Sequence, residues 1–159
     1  MSLQPEALRG ATIIGTGHYA PERVLTNADL ERMVDTSDEW IRERTGIRER
    51  RIAAPGQASS DMALVAARRA LEMAGLGPGD VDQLVVATIT ADRPLPSCAC
   101  DLQAKLGATK AAAYDISAAC SGFVYGLGIA RATIGAGLAD TILLVGVEQL
   151  SSIADYQDR

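Results

Sequence analysis

Aromatic residues are scarce in this chain: one Trp, one Phe and four Tyr stand among 159 residues. Ala, Val, Ile, Leu and Gly dominate instead, so the interior is expected to consist of tight layers of small side chains in which helices and strands approach closely. Histidine is scarcer still, with His18 the single example, so the chain offers no second imidazole for acid–base work. Positive charge is not in surplus. The net charge of -5 argues against general nucleic-acid binding, which needs cations to displace counterions from phosphates. No apolar run approaches the length of a membrane span, so no membrane partner is expected. Three cysteines, an odd number, with no secretory leader, point to free thiols in a reducing compartment, with the cytoplasm as the default. Cys98-Ala99-Cys100 is too tight a spacing for zinc and has no matching ligands elsewhere, so no metal is expected and both residues read as packing at a helix start.

What is present is the composition of a soluble globular protein, 48% hydrophobic and 22% charged, long enough for one sizeable core. Residues 1–10 read as a leader or N-terminal extension, and 11–159 as an α/β unit. Ala11 to Gly17 is a β-rich run closed by a turn at Pro21. Thr26-Asn27 offers N-cap groups for a helix from Ala28 to Val34, and Thr36-Ser37 does so for Asp38 to Arg44, which Gly46 ends. Ile47 to Ile52 is expected to be extended, and the stretch to Ser59, with Pro55 and Gly56, a loop. Ser60-Asp61 opens a helix to about Ala74, with Met62, Val65, Ala66, Leu71 and Met73 as its apolar stripe and Gly75 as its stop. Strands follow at Gln83 to Thr88, Ala111 to Ile116 and Thr141 to Val147. They alternate with helices at Ser97 to Leu106 and from Cys120 to about Gly135, the latter read as buried. The alternation predicts a layered α/β sheet. A chain that stops a few residues after a central strand reads as truncated.

Two groups of residues carry chemistry. Ala118-Ala119-Cys120-Ser121-Gly122-Phe123 places a thiol where a buried strand gives way to an apolar helix, and unpaired N–H groups of a first helical turn stabilise a thiolate. A thiol so activated attacks carbonyl carbon well; the bland alternative is an inert packing cysteine. Trp40, Arg42, Arg44, Arg48, Arg50 and Arg51 gather guanidinium and indole within a short stretch of an acidic chain. Arginine suits bidentate phosphate contact and an indole stacks on a purine. Alternatively the same stretch is a solvated face neutralised by Glu39, Glu43 and Glu49. With a thiol nucleophile, a phosphate-and-purine grip suggests an acyl-CoA substrate. Gly15-Thr16-Gly17 is rejected as a dinucleotide fingerprint, because Ala20 occupies the third glycine position and Pro21 follows where a helix should begin. His18, in a turn, reads as structural.

Ile14-Gly15-Thr16-Gly17 with Pro21, Thr26-Asn27-Ala28-Asp29-Leu30, Asp35-Thr36-Ser37-Asp38-Glu39-Trp40-Ile41, Arg44-Thr45-Gly46-Ile47-Arg48-Glu49-Arg50 and the Cys120 motif occur in this order. Together they closely resemble β-ketoacyl-[acyl-carrier-protein] synthase III, the initiating condensing enzyme of bacterial fatty-acid synthesis, from about Ala11 to Arg159. The Cys motif alone would indicate only the wider thiolase-like superfamily. The resemblance implies a thiolase-like fold of two pseudo-symmetric α/β halves, of which this chain is the first, and a homodimer. It implies that Cys120 takes an acyl group from acyl-CoA, that its backbone N–H contributes to an oxyanion hole, and that the acyl group is condensed with malonyl-acyl carrier protein. Trp40 and Arg159 would sandwich the adenine, Thr36 would line that site and Arg44 would meet CoA phosphate. Leu95, in Pro94-Leu95-Pro96, would reach across the dimer to close the partner's acyl pocket; many relatives carry Phe there, so Leu hints at a roomier pocket. No cofactor is implied, the CoA thioester being substrate. The catalytic His and Asn implied by the resemblance would lie beyond Arg159, so condensation by this chain alone is not expected. Two other readings are a non-catalytic assembly module dimerising through the Ala111 to Ile116 region, and a related synthase of secondary metabolites.

Overall fold

The computed structural model describes residues 9–158. In chain order the elements are β1 (Arg23–Thr26), α1 (Asn27–Leu30), α2 (Asp38–Thr45), β2 (Glu49–Ile52), α3 (Ser59–Ala74), β3 (Gln83–Ala87), α4 (Cys98–Leu106), β4 (Ala112–Ile116), α5 (Gly122–Gly135) and β5 (Ile142–Gly146). Short 3-10 turns precede β3, α5 and the C-terminal segment, at Pro78–Asp80, Ala119–Ser121 and Leu150–Ser152. The chain divides into two compact units. A sheet unit holds the described residues up to Tyr19 with Ser59–Glu148, and a hairpin unit holds Ala20–Ala58 with the segment from Gln149.

The sheet unit is built on a parallel sheet in the order β4-β3-β5, with Leu84 opposite Ala113 on one side and Leu143 on the other. The central strand is an unbroken apolar run, as expected of a parallel strand covered on both faces, and Leu84, Val85 and Val86 are buried. Helices α3 and α4 close one core around it, with Ala63, Ala67 and Leu71 meeting Leu84, Val86, Cys98, Ala99, Leu102 and Leu106. The buried face of α3 is Met62, Ala63, Ala67 and Leu71, which corrects the expected stripe: Val65 and Ala66 are half-buried and Met73 is exposed. Ala63 and Ala67, between Met62 and Leu71 on this face, leave room for a close approach of α3 to its neighbours.

Helix α4 begins where its orphan N–H groups find acceptors. Cys98 N and Ala99 N donate to the two carboxylate oxygens of Asp115, each at 2.8 Å, and Cys100 N donates to Ser97 Oγ at 3.3 Å. A carboxylate at a helix N-terminus also meets the positive end of the helix dipole. Gly107, at φ 82, ends the helix in the left-handed conformation that glycine adopts without strain.

Two expectations in this unit are corrected. Ala11 to Gly17 forms no strand; Thr16 N donates to Met73 Sδ at 3.3 Å, and a Cβ at Gly15 would lie 2.3 Å from Ala70 O. The segment runs against the backbone of α3 instead of joining a ladder, an approach open only to glycine. Helix α5 is not a buried helix: Gly122, Gly126 and Gly135 are its buried residues, while Phe123, Val124, Tyr125, Leu127 and Ile129 are exposed. A Cβ at Gly122 would lie 3.1 Å from Ala87 Cβ, and one at Gly126 2.5 Å from Leu144 Cδ1. The helix meets the sheet at Gly122 and Gly126, with Phe123 beside Gly146 of β5, and leaves Val124, Tyr125, Leu127 and Ile129 exposed.

In the hairpin unit, β1 and β2 pair antiparallel, from Arg23 opposite Ile52 to Thr26 opposite Glu49. Leu25, Leu30 and Ile41 form a small core with Ile52 and Tyr156. Strand β1 lies beyond the Pro21 turn, where the Val24-Leu25 pair is too short an apolar run to signal a strand by itself. Helix α1 is shorter than the expected Ala28 to Val34. Thr26 and Asp29 form a capping box at its start, with Asp29 N donating to Thr26 Oγ1 at 3.2 Å and Thr26 N to Asp29 Oδ2 at 2.9 Å. Glu31 Oε1, just after it, accepts from Asp38 N at 2.7 Å, which turns the chain back toward the start of α2. Helix α2 matches expectation, with Trp40 N donating to Ser37 Oγ at 3.1 Å and Gly46 closing it at φ 72.

Leu84→Ala is expected to lower stability by about 2–5 kcal/mol, the cost of a cavity in a core that cannot collapse around it, read from the midpoint of urea unfolding. Asp82 Oδ2 accepts from Thr141 N at 2.9 Å and Asp140 N at 2.8 Å, and these bonds hold its carboxyl below the ordinary value of 3.8. A depressed carboxyl pKa contributes stability that is present above the unfolded-state pKa and is lost as pH falls through the folded-state pKa. Asp82→Asn should therefore flatten the acid limb of the stability profile below about pH 4, measured by thermal unfolding across pH.

Candidate active site

The turn that carries Cys120 lies just past the carboxyl end of the sheet. Strand β4 ends at Ile116, Thr88 N donates to Ile116 O at 3.2 Å, and Gly122 packs against Ala87, the last residue of β3. Parallel α/β sheets present ligands to loops at this edge. Ala119 has φ 45, the left-handed region that costs a non-glycine residue about 1–3 kcal/mol. Cys120 follows it in the 3-10 turn, with Ser121 N bonded to Ala118 O at 3.1 Å and the helix starting at Gly122. The thiol thus stands before the first turn of α5, not within it as expected, and it is exposed. The Ser121 side chain at the N-cap of α5 makes no capping hydrogen bond. The strained residue before the cysteine lifts it out of the helical line.

The other two cysteines are held differently. Cys98 is buried, with its Sγ 3.8 Å from Asp92 Oδ1; burial first, then the charges of Asp92 and Asp115, push its thiol up to about 12. Cys100 is half-buried, its Sγ within 3.2 Å of Ser97 Oγ and 3.8 Å of Ala113 O. Both sit in the first turn of α4, where the sequence placed them. Among the described residues no group of three His, Cys, Asp or Glu side chains could hold a metal ion. His18 has its carbonyl bonded to Arg69 Nη1 at 2.6 Å.

Leu95 is 84% exposed and follows Pro94 in the loop between β3 and α4, before a cis bond to Pro96. The loop is anchored on both flanks. Ser59 Oγ donates to Thr90 O at 2.6 Å, Ser60 N to Asp92 Oδ1 at 2.9 Å, and Arg93 Nη2 pairs with Asp101 Oδ1 at 2.5 Å. Lys105 Nζ, 3.9 Å from Asp92 Oδ2, also donates to Ser60 Oγ at 2.5 Å and Asp61 Oδ1 at 2.6 Å. At the base of the loop Glu148 Oε1 accepts from Ile89 N at 3.0 Å and Oε2 from Thr90 Oγ1 at 2.6 Å. Most of these polar anchors join residues far apart in the chain, so no local sequence pattern signals them.

In the hairpin unit, Trp40 and Arg44 share one face of α2, with the Arg44 guanidinium 5.9 Å from the centre of the Trp40 ring. That distance and the four-residue spacing make a cation–π pair. Thr36 is half-buried just before the Ser37 cap. Asp38, Glu39, Arg42, Glu43, Gly46 and Arg48 line an open depression of about 500 Å³ along α2, and Thr36, Trp40 and Arg44 are not among its lining residues. Within the arginine cluster Arg42 pairs with Asp38 at 3.3 Å and Arg51 with Glu49 at 3.2 Å, while Arg44 lies on the indole. Arg159 lies outside the described residues.

A parallel α/β sheet with an exposed cysteine on a strained turn between strand and helix, at the carboxyl edge, defines a thiolase-like protein. Within that class the chain resembles β-ketoacyl-[acyl-carrier-protein] synthase III across nearly all of its own length. It is 60% identical over 150 residues to the β-ketoacyl-[acyl-carrier-protein] synthase III of Geobacillus kaustophilus, covering 94% of this chain and 48% of that protein. The crystal structure of 3-oxoacyl-[acyl-carrier-protein] synthase III from Aquifex aeolicus superposes with a TM-score of 0.90 at 52% identity, covering 92% of this chain and 47% of that one. The priming β-ketosynthase of the R1128 polyketide pathway gives 0.92 at 37% identity, covering 100% and 48%. The family model for 3-oxoacyl-[acyl-carrier-protein (ACP)] synthase III matches residues 114–159. The chain spans about half the length of the curated relatives it matches.

Alkylation with iodoacetamide at pH 8 should label Cys120 and leave Cys98 unmodified, since Cys98 is both buried and protonated there; peptide mapping by mass spectrometry reads the result.

Proposed function

We propose that this chain supplies the acyl-accepting half of a β-ketoacyl-[acyl-carrier-protein] synthase III, and the observation that carries the reading is the exposed Cys120 on its strained turn. The thiolate attacks the carbonyl carbon of acetyl-CoA or a related acyl-CoA, a tetrahedral oxyanion forms against the Cys120 N–H, and collapse expels CoA thiolate. The C–S bond to CoA breaks as the bond to Cys120 Sγ forms, and the proton lost by Cys120 ends on CoA. Trp40, Thr36 and Arg44, with Arg159, hold the adenine and phosphates, while Leu95 closes an acyl pocket across a homodimer. The acyl group is then condensed with malonyl-acyl carrier protein with loss of carbon dioxide, a step assigned to His and Asn residues outside this chain. No cofactor is needed beyond the thioester substrate. The setting is cytoplasmic; among the described residues no helix is long and apolar enough to cross a membrane.

The outward apolar side chains of α5 suit contact with the remaining half of such a protein, and they also suit association of isolated chains. Similarity to the R1128 priming ketosynthase keeps a secondary-metabolite primer as the second reading; comparing acetyl-, branched and long acyl-CoA donors separates the two. Incubation of the full-length gene product with acetyl-CoA should add one acetyl group at Cys120 by intact mass and peptide mapping, and Cys120→Ser should abolish the adduct. An unchanged wild-type mass with every donor would overturn the reading.

A further inference from the structure

Asn27 is 2% exposed, which is uncommon for a primary amide, and each of its polar atoms is occupied. Its Nδ2 donates to Asp38 Oδ1 at 2.7 Å and to Ile47 O at 2.9 Å, and its Oδ1 accepts from Arg50 Nη1. These three partners bracket α2. Asp38 is the first residue of the helix, Ile47 follows its Gly46 cap, and Arg50 lies in β2, the strand the chain enters next. One buried side chain thus pins both ends of the eight-residue helix that carries Trp40 and Arg44. Neither end has another buried polar group of this kind among the described residues, since Asn27 is the one buried polar residue of the hairpin unit. The Asp38 carboxyl is held below its ordinary value first by the Asn27 amide and then by Arg42, so the amide meets a charged acceptor.

We infer that Asn27 is a positioning residue for nucleotide recognition: by fixing both ends of α2 it sets the Trp40 ring and the Arg44 guanidinium at the spacing that grips the adenine and phosphate of a CoA thioester. This rests on the acyl-CoA reading above. A stacking ring and a guanidinium recognise a purine and a phosphate only when their separation is fixed beforehand, because a displacement of about 1 Å removes much of the benefit of preorganisation. Asn27 touches no part of the nucleotide itself; its effect passes through the helix.

The consequence is selective. Asn27→Asp keeps the shape and the Arg50 contact but faces Asp38 Oδ1 and Ile47 O with oxygen where a donor stood. In the full-length gene product, acylation of Cys120 is followed with acetyl-CoA and with acetyl-pantetheine, which carries the same thioester but no nucleotide. Asn27→Asp is expected to raise KM for acetyl-CoA about tenfold with kcat little changed, while kcat/KM for acetyl-pantetheine stays within about twofold. Combining Asn27→Asp with Asp38→Asn, which returns a donor to the pair from the opposite side, should recover part of the loss. Asp38→Ala, at a partly exposed position, tests the same tether should Asn27→Asp fold poorly, and should raise KM for acetyl-CoA selectively but less. An equal fall with both thioesters, or no change with either, would overturn the positioning role. Trp40→Ala separates that failure from failure of the premise: if wild type uses the two thioesters equally and Trp40→Ala changes nothing, the nucleotide grip itself is absent and the inference falls with it.

Discussion

The central strand β3 is the constraint on which the sheet unit depends. It is paired on both edges, to β4 and β5, and covered on both faces, so each of its backbone groups and side chains has a required neighbour. Parallel pairing forces the chain to leave the sheet and return after every strand. Helices α4 and α5 are placed by that necessity, and the loops at the carboxyl ends of the strands are gathered at one edge. Cys120 and Leu95 both belong to loops of that edge because one follows β4 and the other follows β3.

The two chemistry-bearing groups are held by different physics. Cys120 owes its exposure to a backbone device, a left-handed Ala119 ahead of a helix whose glycines let it close on the sheet. The aromatic and guanidinium pair on α2 owes its placement to polar anchoring, through Ser37, Gly46 and Asn27, in a unit whose apolar core among the described residues is three buried side chains with two partners. A core that small gives little orientation by packing alone, so hydrogen bonds at the helix ends carry more of the load.

Much of the fold was legible in local signals. The cap at Ser37, the glycine stops at Gly46 and Gly75, and the apolar runs of β3 and β5 each act within a few residues, and each element formed where its signal stands. The misreadings share another cause. Ala11 to Gly17 has the composition of a strand but no ladder partner among the described residues, and α5 has the composition of a buried helix but meets the sheet mainly at Gly122 and Gly126, with most of its large apolar side chains exposed. Composition reports what a segment can bury, whereas pairing and facing depend on what lies opposite.

The candidate residues divide the same way. Cys120, Trp40 and Arg44 could be picked out from residue type and spacing, since a thiol at a strand-to-helix junction and a four-residue step on one helix are local patterns. The sequence by itself determined the types and order of the elements from α2 onward and the identity of the nucleophile candidate, because helix caps, glycine stops and apolar periodicity act over short distances. Only the tertiary structure decided that Cys120 stands ahead of its helix on a strained turn, that Asp115 caps α4, that Glu148 and Asp92 anchor the Leu95 loop, and that Asn27 ties both ends of α2. Each of those contacts joins residues that only the closed chain brings within hydrogen-bonding distance, and no local pattern encodes which partner will be there.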